Sequence, residues 1–245
     1  MKETSFATLL ERFFIERLMR QRQVSPHTVS SYRDTFRLLL HFAHRRLHKP
    51  PSQLTLAEVD APLITAFLDD LEAGRKITAR SRNLRLTAIR SFFHFAAYEE
   101  PAHASQIQRV LAIPGKRCVK ALVKFLDRTE TEALLAAPDP GTWRGRRDHV
   151  LLLVAVQTGL RLSELTSLRR DDLHLGTATH VRCVGKGRKE RSTPLTKQAL
   201  AALKAWLPQL PKNTDWVFPN ASSSHLACIP VGIVAKHMGR NALHF

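Results

Sequence analysis

The sequence predicts a mainly α-helical chain: an N-terminal four-helix bundle followed by a mixed α+β part with a small antiparallel sheet. Three observations carry this. Apolar residues recur at helical spacing four times within the first hundred positions. Periodicity is then poor from Pro101 to Lys124. Beyond it, between His180 and Leu195, the pattern changes to a two-residue alternation around Gly185-Lys186-Gly187. In order, Phe6, Leu9, Leu10, Phe13, Phe14 and Leu18 place a first helix over roughly 5–21. Ser25-Pro26 supplies an N-cap and a first-turn proline for a second helix carrying Val29, Tyr32, Phe36, Leu39, Leu40 and Ala43. After Pro50-Pro51, Thr55 with Glu58 reads as a capping box, and Asp60-Ala61-Pro62 starts a third helix with Leu63, Phe67 and Leu71, ending at Gly74. Leu84, Ala88, Ile89, Phe92, Phe95 and Ala96 give the fourth.

The expected division is a helical domain over 1–100, an extended basic connection over 101–124 and a second domain over 125–245. In that second domain, Asp127, Thr129, Glu130 and Glu132 resemble a helix start. Arg144 to Leu160 forms the most apolar helix in the chain. A basic hairpin spans 180–195. Ala199 to Leu207 reads as a helix, Val217-Phe218-Pro219-Asn220 as a short buried strand with a turn, and Ile229 to Met238 as a last helix.

Charge narrows the function. Thirty-eight Lys and Arg against 21 Asp and Glu give a formal +17, the scale of excess expected for a polyanion partner. From Arg75 to Arg90 the chain carries Arg75, Lys76, Arg80, Arg82, Arg85 and Arg90 and no acid. Ordinary solvated helix faces mix signs to gain i,i+4 pairs, so one sign alone favours contact with DNA or RNA over a bland solvent face. The longest clean apolar run, Val150 to Val156, falls far short of the roughly 20 residues of a membrane span, and no apolar leader opens the chain. The expected location is the cytoplasm, with no membrane partner. Cys118, Cys183 and Cys228 are too far apart for a Cys-x-x-Cys site. His41, His44 and His48 share a helix face with no acid or cysteine beside them, so no metal and no cofactor are expected. Neither a Gly-x-Ser-x-Gly elbow nor a phosphate-binding Gly-x-x-x-x-Gly-Lys-Ser/Thr loop occurs.

The informative stretch is Thr158-Gly159-Leu160-Arg161-Leu162-Ser163-Glu164-Leu165. An arginine directly after an apolar helix and a glycine turn is held at the edge of a core, where a guanidinium can clamp a phosphate through two parallel hydrogen bonds. Glu164, three residues on, can orient it. Lys186, at the tip of the hairpin and followed by Arg188, Lys189, Glu190 and Arg191, can enter a groove and donate a proton to a leaving oxygen. Taken singly, Arg161 with Glu164 is also an ordinary surface ion pair, and Lys186 a solubilising turn.

Together, T-G-L-R-L-S-E-L-x-x-L, then V-x-C-V-G-K-G-x-K-E-R-x-x-P-L, then V-F-P-N resemble the tyrosine recombinases of the phage-integrase and Xer type. Ser25-Pro26-His27-Thr28-Val29, Tyr32 and the basic fourth helix resemble that family's SAM-like core-binding domain. The resemblance implies a C-shaped clamp in which a helical domain and a catalytic-type domain hold double-stranded DNA. It makes Arg161 the first catalytic arginine, Lys186 the general acid and Glu164 the acid supporting the arginine. Lys76, Arg80, Arg82, Arg85, Arg90, Arg188, Lys189 and Arg191 become DNA contacts, and a homo- or hetero-oligomer on DNA follows from the same likeness.

The family mechanism also uses His-x-x-Arg and a tyrosine that attacks the phosphate. Here the only tyrosines are Tyr32 and Tyr98, both in the first half and both expected to pack there. His237 and Arg240 match His-x-x-Arg literally, but only 16 residues separate them from Asn220, and Gly239 precedes the arginine, so they read as a helix end. The expectation is a C-terminally incomplete catalytic-type domain, as from a truncated or frameshifted gene, that does not cleave alone. The alternatives are a non-catalytic DNA-binding protein or partner occupying recombination sites, and a generic basic RNA-binding protein.

Overall fold

The computed structural model describes residues 5–118, 125–185 and 189–226. The chain divides into two compact units, residues 1–122 and 123–245. The described residues are mainly helical with one three-stranded antiparallel sheet of order β1-β2-β3, as the sequence predicts.

In the first unit, α1 begins at Phe6–Arg12 behind the N-cap Ser5, whose hydroxyl accepts from the Thr8 N–H, and continues as a π-helical stretch over Phe13–Gln21. Helix α2 (Pro26–Leu47) is capped by Ser25, α3 (Ala61–Arg75) by Asp60 and α4 (Ala79–Glu99) by Thr78. Each cap oxygen satisfies a first-turn N–H that otherwise has no partner. Helix α3 runs one residue past the predicted stop at Gly74 and closes on Lys76 in the left-handed conformation. The core is phenylalanine-rich. Phe13 meets Phe36 and Phe92 edge-to-face, at 6.2 and 5.6 Å between centroids, and Phe92 meets Phe6 at 5.1 Å. Edge-to-face aromatic pairs add about 0.5–1.5 kcal/mol each beyond the area they bury.

Two expectations are corrected here. The stretch after Pro101 does not run as an extended connection from its start: Ala104–Leu111 forms a fifth helix, α5, whose Ile107 and Val110 are completely buried in the first core. Eight residues with two anchoring positions leave a weak periodic signal, and tertiary packing supplies the rest. Onward to Cys118 the chain is strapped down. Asn83 Nδ2 donates to the Lys116 carbonyl at 2.7 Å, and its Oδ1 accepts from the Lys116 N–H at 2.9 Å. Tyr98 is the second correction. It is 82 % exposed, because α4 buries Phe92, Phe95 and Ala96 and leaves position 98 outside, whereas Tyr32 lies parallel to Phe13 at 6.4 Å.

In the second unit, α6 (Arg128–Ala136) starts where Asp127 to Glu132 resemble a helix start, and Asp127 with Glu130 closes it as a capping box. The apolar helix is α7 (Trp143–Thr158), followed by α8 (Leu162–Thr166), β1 (Leu173–His174), β2 (His180–Val184), β3 (Glu190–Pro194) and α9 (Lys197–Trp206). Val150, Leu151 and Val154 of α7 pack with Leu165, Val181, Leu203, Trp206 and Phe218. Val217 and Phe218 are buried as predicted, but the backbone around them makes isolated bridges, Arg169 with Trp216 and Pro219 with His225, instead of a strand. The predicted helix over 229–238, with His237 and Arg240, lies outside the described residues. Among the described residues no helix is long and apolar enough to cross a membrane.

Gly145 tests the packing at the start of α7. A Cβ there would fall 1.8 Å from the Asp139 carbonyl oxygen, which is backbone and cannot swing aside. Gly145→Ala is expected to destabilise the second unit by about 1–3 kcal/mol. Since Trp143, Trp206 and Trp216 all lie in that unit, a thermal melt followed by tryptophan fluorescence reads the loss directly. An unchanged midpoint would contradict the packing.

Candidate active site

The arginine seat is built by three short-range constraints. Helix α7 ends on Gly159, whose φ of +63° is left-handed and whose N–H donates to the Ala155 carbonyl at 2.9 Å. Leu160 then plugs into the core at 6 % exposure. Arg161 follows in extended conformation as the residue that opens α8. Glu164, at the third helical position, reaches back so that its Oε2 accepts the Arg161 N–H at 2.8 Å. The same carboxylate accepts Arg161 Nη1 through Oε1 at 2.9 Å. Backbone and side chain of Arg161 are thus fixed by one acid, while its side chain stays 62 % exposed, presenting donors to solvent.

Glu164 has a third partner. Arg191 Nη2 donates to Oε2 at 2.7 Å, and Arg191 Nε donates to Cys183 Sγ at 3.2 Å across the register pair Cys183 and Arg191 of the hairpin. A Cβ on Gly185 would come within 3.3 Å of Glu164 Oε1 and 3.8 Å of Arg161 Nη1, so the glycine lets the hairpin backbone pass close to the ion pair. Burial alone would push the Glu164 carboxyl up. The Arg161 N–H, the Arg161 guanidinium and the charge of Arg191 outweigh it and hold the group below the ordinary range of a glutamate. Arg191 is raised, first by its bond to Cys183 and then by Glu164. One buried acid serves two arginines, and the cluster of these three side chains keeps a net positive charge.

The structure sorts the other predicted residues. Lys76, Arg80 and Lys189 are exposed, and Lys186 and Arg188 lie outside the described residues. Arg191 is turned onto Glu164, although 42 % of its side chain remains exposed. Arg82 corrects the expectation of a DNA contact. It is buried at 4 % exposure, with Nε 3.2 Å from Glu72 Oε2, the carboxylate oxygen that also meets Lys116 Nζ at 2.6 Å. Arg85 and Arg90 are half-buried. Arg90 Nη2 donates to the Ile113 carbonyl, and Arg85 Nη1 lies 3.5 Å from Thr35 Oγ1. Burial lowers the pKa of Arg85, and the charge of Arg75 lowers it further.

One structural pair went unread in the sequence. Arg147, at 6 % exposure, donates through Nε and Nη2 to Asp148 Oδ1 at 2.9 and 2.7 Å, and through Nη1 to the Pro219 carbonyl at 2.9 Å. It ties α7 to the Val217–Asn220 turn, which Trp206 Nε1 also holds through the Val217 carbonyl at 2.8 Å. The signal was available: 147, 150, 151 and 154 share one helix face. Among the described residues no cluster of three or more His, Cys, Asp or Glu side chains is placed to hold a metal.

Because the folded pKa of Glu164 is depressed, its contribution to stability is complete above the ordinary glutamate value of about 4.3 and is lost as pH falls through the lower folded value. Glu164→Gln keeps the shape but removes the charge, so it is expected to cost about 1–2 kcal/mol at pH 7 and less near pH 3. Denaturant melts from pH 3 to 7 check this; equal losses at both ends would show that the carboxylate charge does not matter.

Comparison with known proteins follows the same two units. Residues 124–242 match the phage integrase family, and residues 10–100 match the phage integrase N-terminal SAM-like domain. The chain is 63 % identical over 227 residues to y4rC of Sinorhizobium fredii, which bears an integrase/recombinase name, covering 92 % of this chain and 68 % of that one. It is 33 % identical over 217 residues to tyrosine recombinase XerD of Listeria monocytogenes, covering 84 % and 69 %. Two solved structures share the fold. XerH recombinase bound to palindromic difH substrate gives a TM-score of 0.68 at 21 % identity, covering 90 % of this chain and 64 % of that one. A lambda integrase dimer bound to a COC' core site gives 0.69 at 18 %, covering 99 % and 65 %. The chain thus spans about two thirds of the length of these relatives. With the arginine seat, the hairpin and the buried Val-Phe-Pro turn in the family's order, and with relatives this similar, the chain belongs to the tyrosine recombinases of the phage integrase family.

Proposed function

We propose that the chain binds duplex DNA at recombination sites, with residues 1–100 and the packed helix α5 as a core-binding domain, the stretch from there to 124 as the connection and 125–245 as a catalytic-type domain. Arg161 holds the scissile phosphate, Glu164 seats it, and Lys186 on the hairpin donates a proton to the leaving oxygen. The observation that carries this reading is the Glu164 carboxylate, which fixes Arg161 from two sides and leaves its guanidinium presented to solvent beside the hairpin. A seated guanidinium stabilises the charge that develops on an attacked phosphate at little cost in reorganisation. Lys76, Arg80, Arg85, Arg90, Arg188, Lys189 and Arg191 supply phosphate contacts, and Lys76, Arg80, Lys189 and Arg191 are exposed for that role. Arg82, buried against Glu72, makes no such contact. The proteins of similar fold include DNA-bound dimers and a tetramer on a Holliday junction, which supports an oligomer on DNA here too. The cytoplasm remains the proposed location.

A second reading, a DNA-binding partner that does not cleave alone, is favoured by the positions of the tyrosines. Both lie in the first unit, and the 125–245 segment has none. Arginine and lysine lower the barrier only for an attack that another group performs.

Two outcomes test these readings. Duplex affinity should fall by orders of magnitude between about 50 and 200 mM salt, measured by anisotropy titration, and a flat response would sink the DNA reading. With a nicked substrate that traps covalent intermediates, the 245-residue chain should show no adduct on a denaturing gel. An adduct lost in Tyr98→Phe or Tyr32→Phe would overturn the second reading.

A further inference from the structure

A cleft of about 720 Å³ opens on the first unit between the end of α1, the start of α2 and the last half of α4. Arg17, Arg22, Arg90, His94, Tyr32 and Tyr98 line it, with no acid among its lining residues. The nearby acids Glu16 and Glu99 are both taken by Arg12, Glu99 at 2.7 Å.

The arginine pair depends on unusual backbone. In an α-helix, residues five apart point about 140° away from each other at 100° per residue. Over Phe13–Gln21 the chain is wound as a π-helix, and the Arg22 N–H donates to the Arg17 carbonyl at 3.1 Å, an i to i+5 bond that stacks the two residues on one side. Gln23 follows with φ of +44°, a conformation that costs a non-glycine residue free energy. Nine residues of π winding are far from the usual single turn. On the opposite wall, Thr87, Ser91, His94 and Tyr98 fall at i, i+4, i+7 and i+11 on α4, one polar stripe ending on a phenol that is 82 % exposed.

We infer that this cleft binds an unpaired nucleotide of single-stranded DNA, with the base against the tyrosines and its phosphate on Arg17 and Arg22. The inference rests on the DNA reading above and adds a ligand class to it. Aromatic rings beside cations in an acid-free groove are the pattern that holds single strands, because every base has a face to stack. An open cleft of this volume has room for a nucleotide-sized group. A base-paired helix, whose bases are stacked inside, meets it only with a phosphate edge.

The test uses the intact chain, a labelled oligothymidylate about eight nucleotides long and a labelled duplex, both titrated at one salt concentration. Tyr98→Ala should weaken oligothymidylate binding by about tenfold, Tyr98→Phe should restore it, and Arg17→Ala with Arg22→Ala should weaken it further. Duplex affinity should change less than about twofold in the tyrosine variants. Tyr98 is on the surface, and unchanged circular dichroism melts will confirm that the variants fold. Unchanged oligothymidylate affinity, or equal losses for both ligands, would overturn the inference. If the wild-type chain fails on duplex yet binds oligothymidylate through Tyr98, the duplex reading falls and the cleft stands.

Discussion

A single buried carboxylate organises the second unit. Glu164 receives a backbone N–H and two guanidinium groups, and each bond belongs to a different part of the structure. The N–H sets the first turn of α8, the first guanidinium fixes Arg161, and the second anchors β3. A buried acid without such partners would be neutral or would unfold its surroundings. With them it holds the chain from 159 to 166 against a hairpin more than twenty residues later. The geometry at the arginine is therefore a property of the fold around the acid and not of the arginine's own rotamer.

Most of the first unit was legible because its helices announce themselves twice, by an apolar stripe and by a cap. Ser25-Pro26 and Asp60-Ala61-Pro62 cap where the sequence places them, and in the second unit α6 starts at Asp127 as expected. Helix α5 was not legible, since a helix of two turns with two buried residues carries too little period to separate from an irregular connection. The basic face of α4 was read only in part. Counting charge gives the sign of a segment but not the direction of each side chain. At the start of α4 the buried line is Arg82, Leu86, Ile89 and Phe93, while Leu84, which the sequence reading placed in the apolar stripe, is 62 % exposed.

The arginine site was legible in its parts and not in its wiring. Sequence placed Arg161 and Glu164 together by their spacing of three. Nothing local indicated that Arg191, separated by 27 positions, shares the same carboxylate. That contact depends on hairpin register, which pairs Cys183 with Arg191 and is fixed by the turn and the buried face of β2. Likewise Arg147 looked like one more cation in a basic protein, yet it is bound to Asp148 and a buried carbonyl.

The acids have a shared fate that bears on how such a chain can change. Glu72, Glu99, Asp148 and Glu164 each hold an arginine that positions a helix or a hairpin. These four are a minority of the 21 acids, but they are the ones most costly to lose. Selection for tighter grip on nucleic acid, acting by removal of negative charge, would erode the fold wherever it reached one of them. The accessible route in sequence space is the opposite one, the gain of new exposed cations, and a lineage following it would drift toward a still higher isoelectric point while its acidic positions stayed fixed.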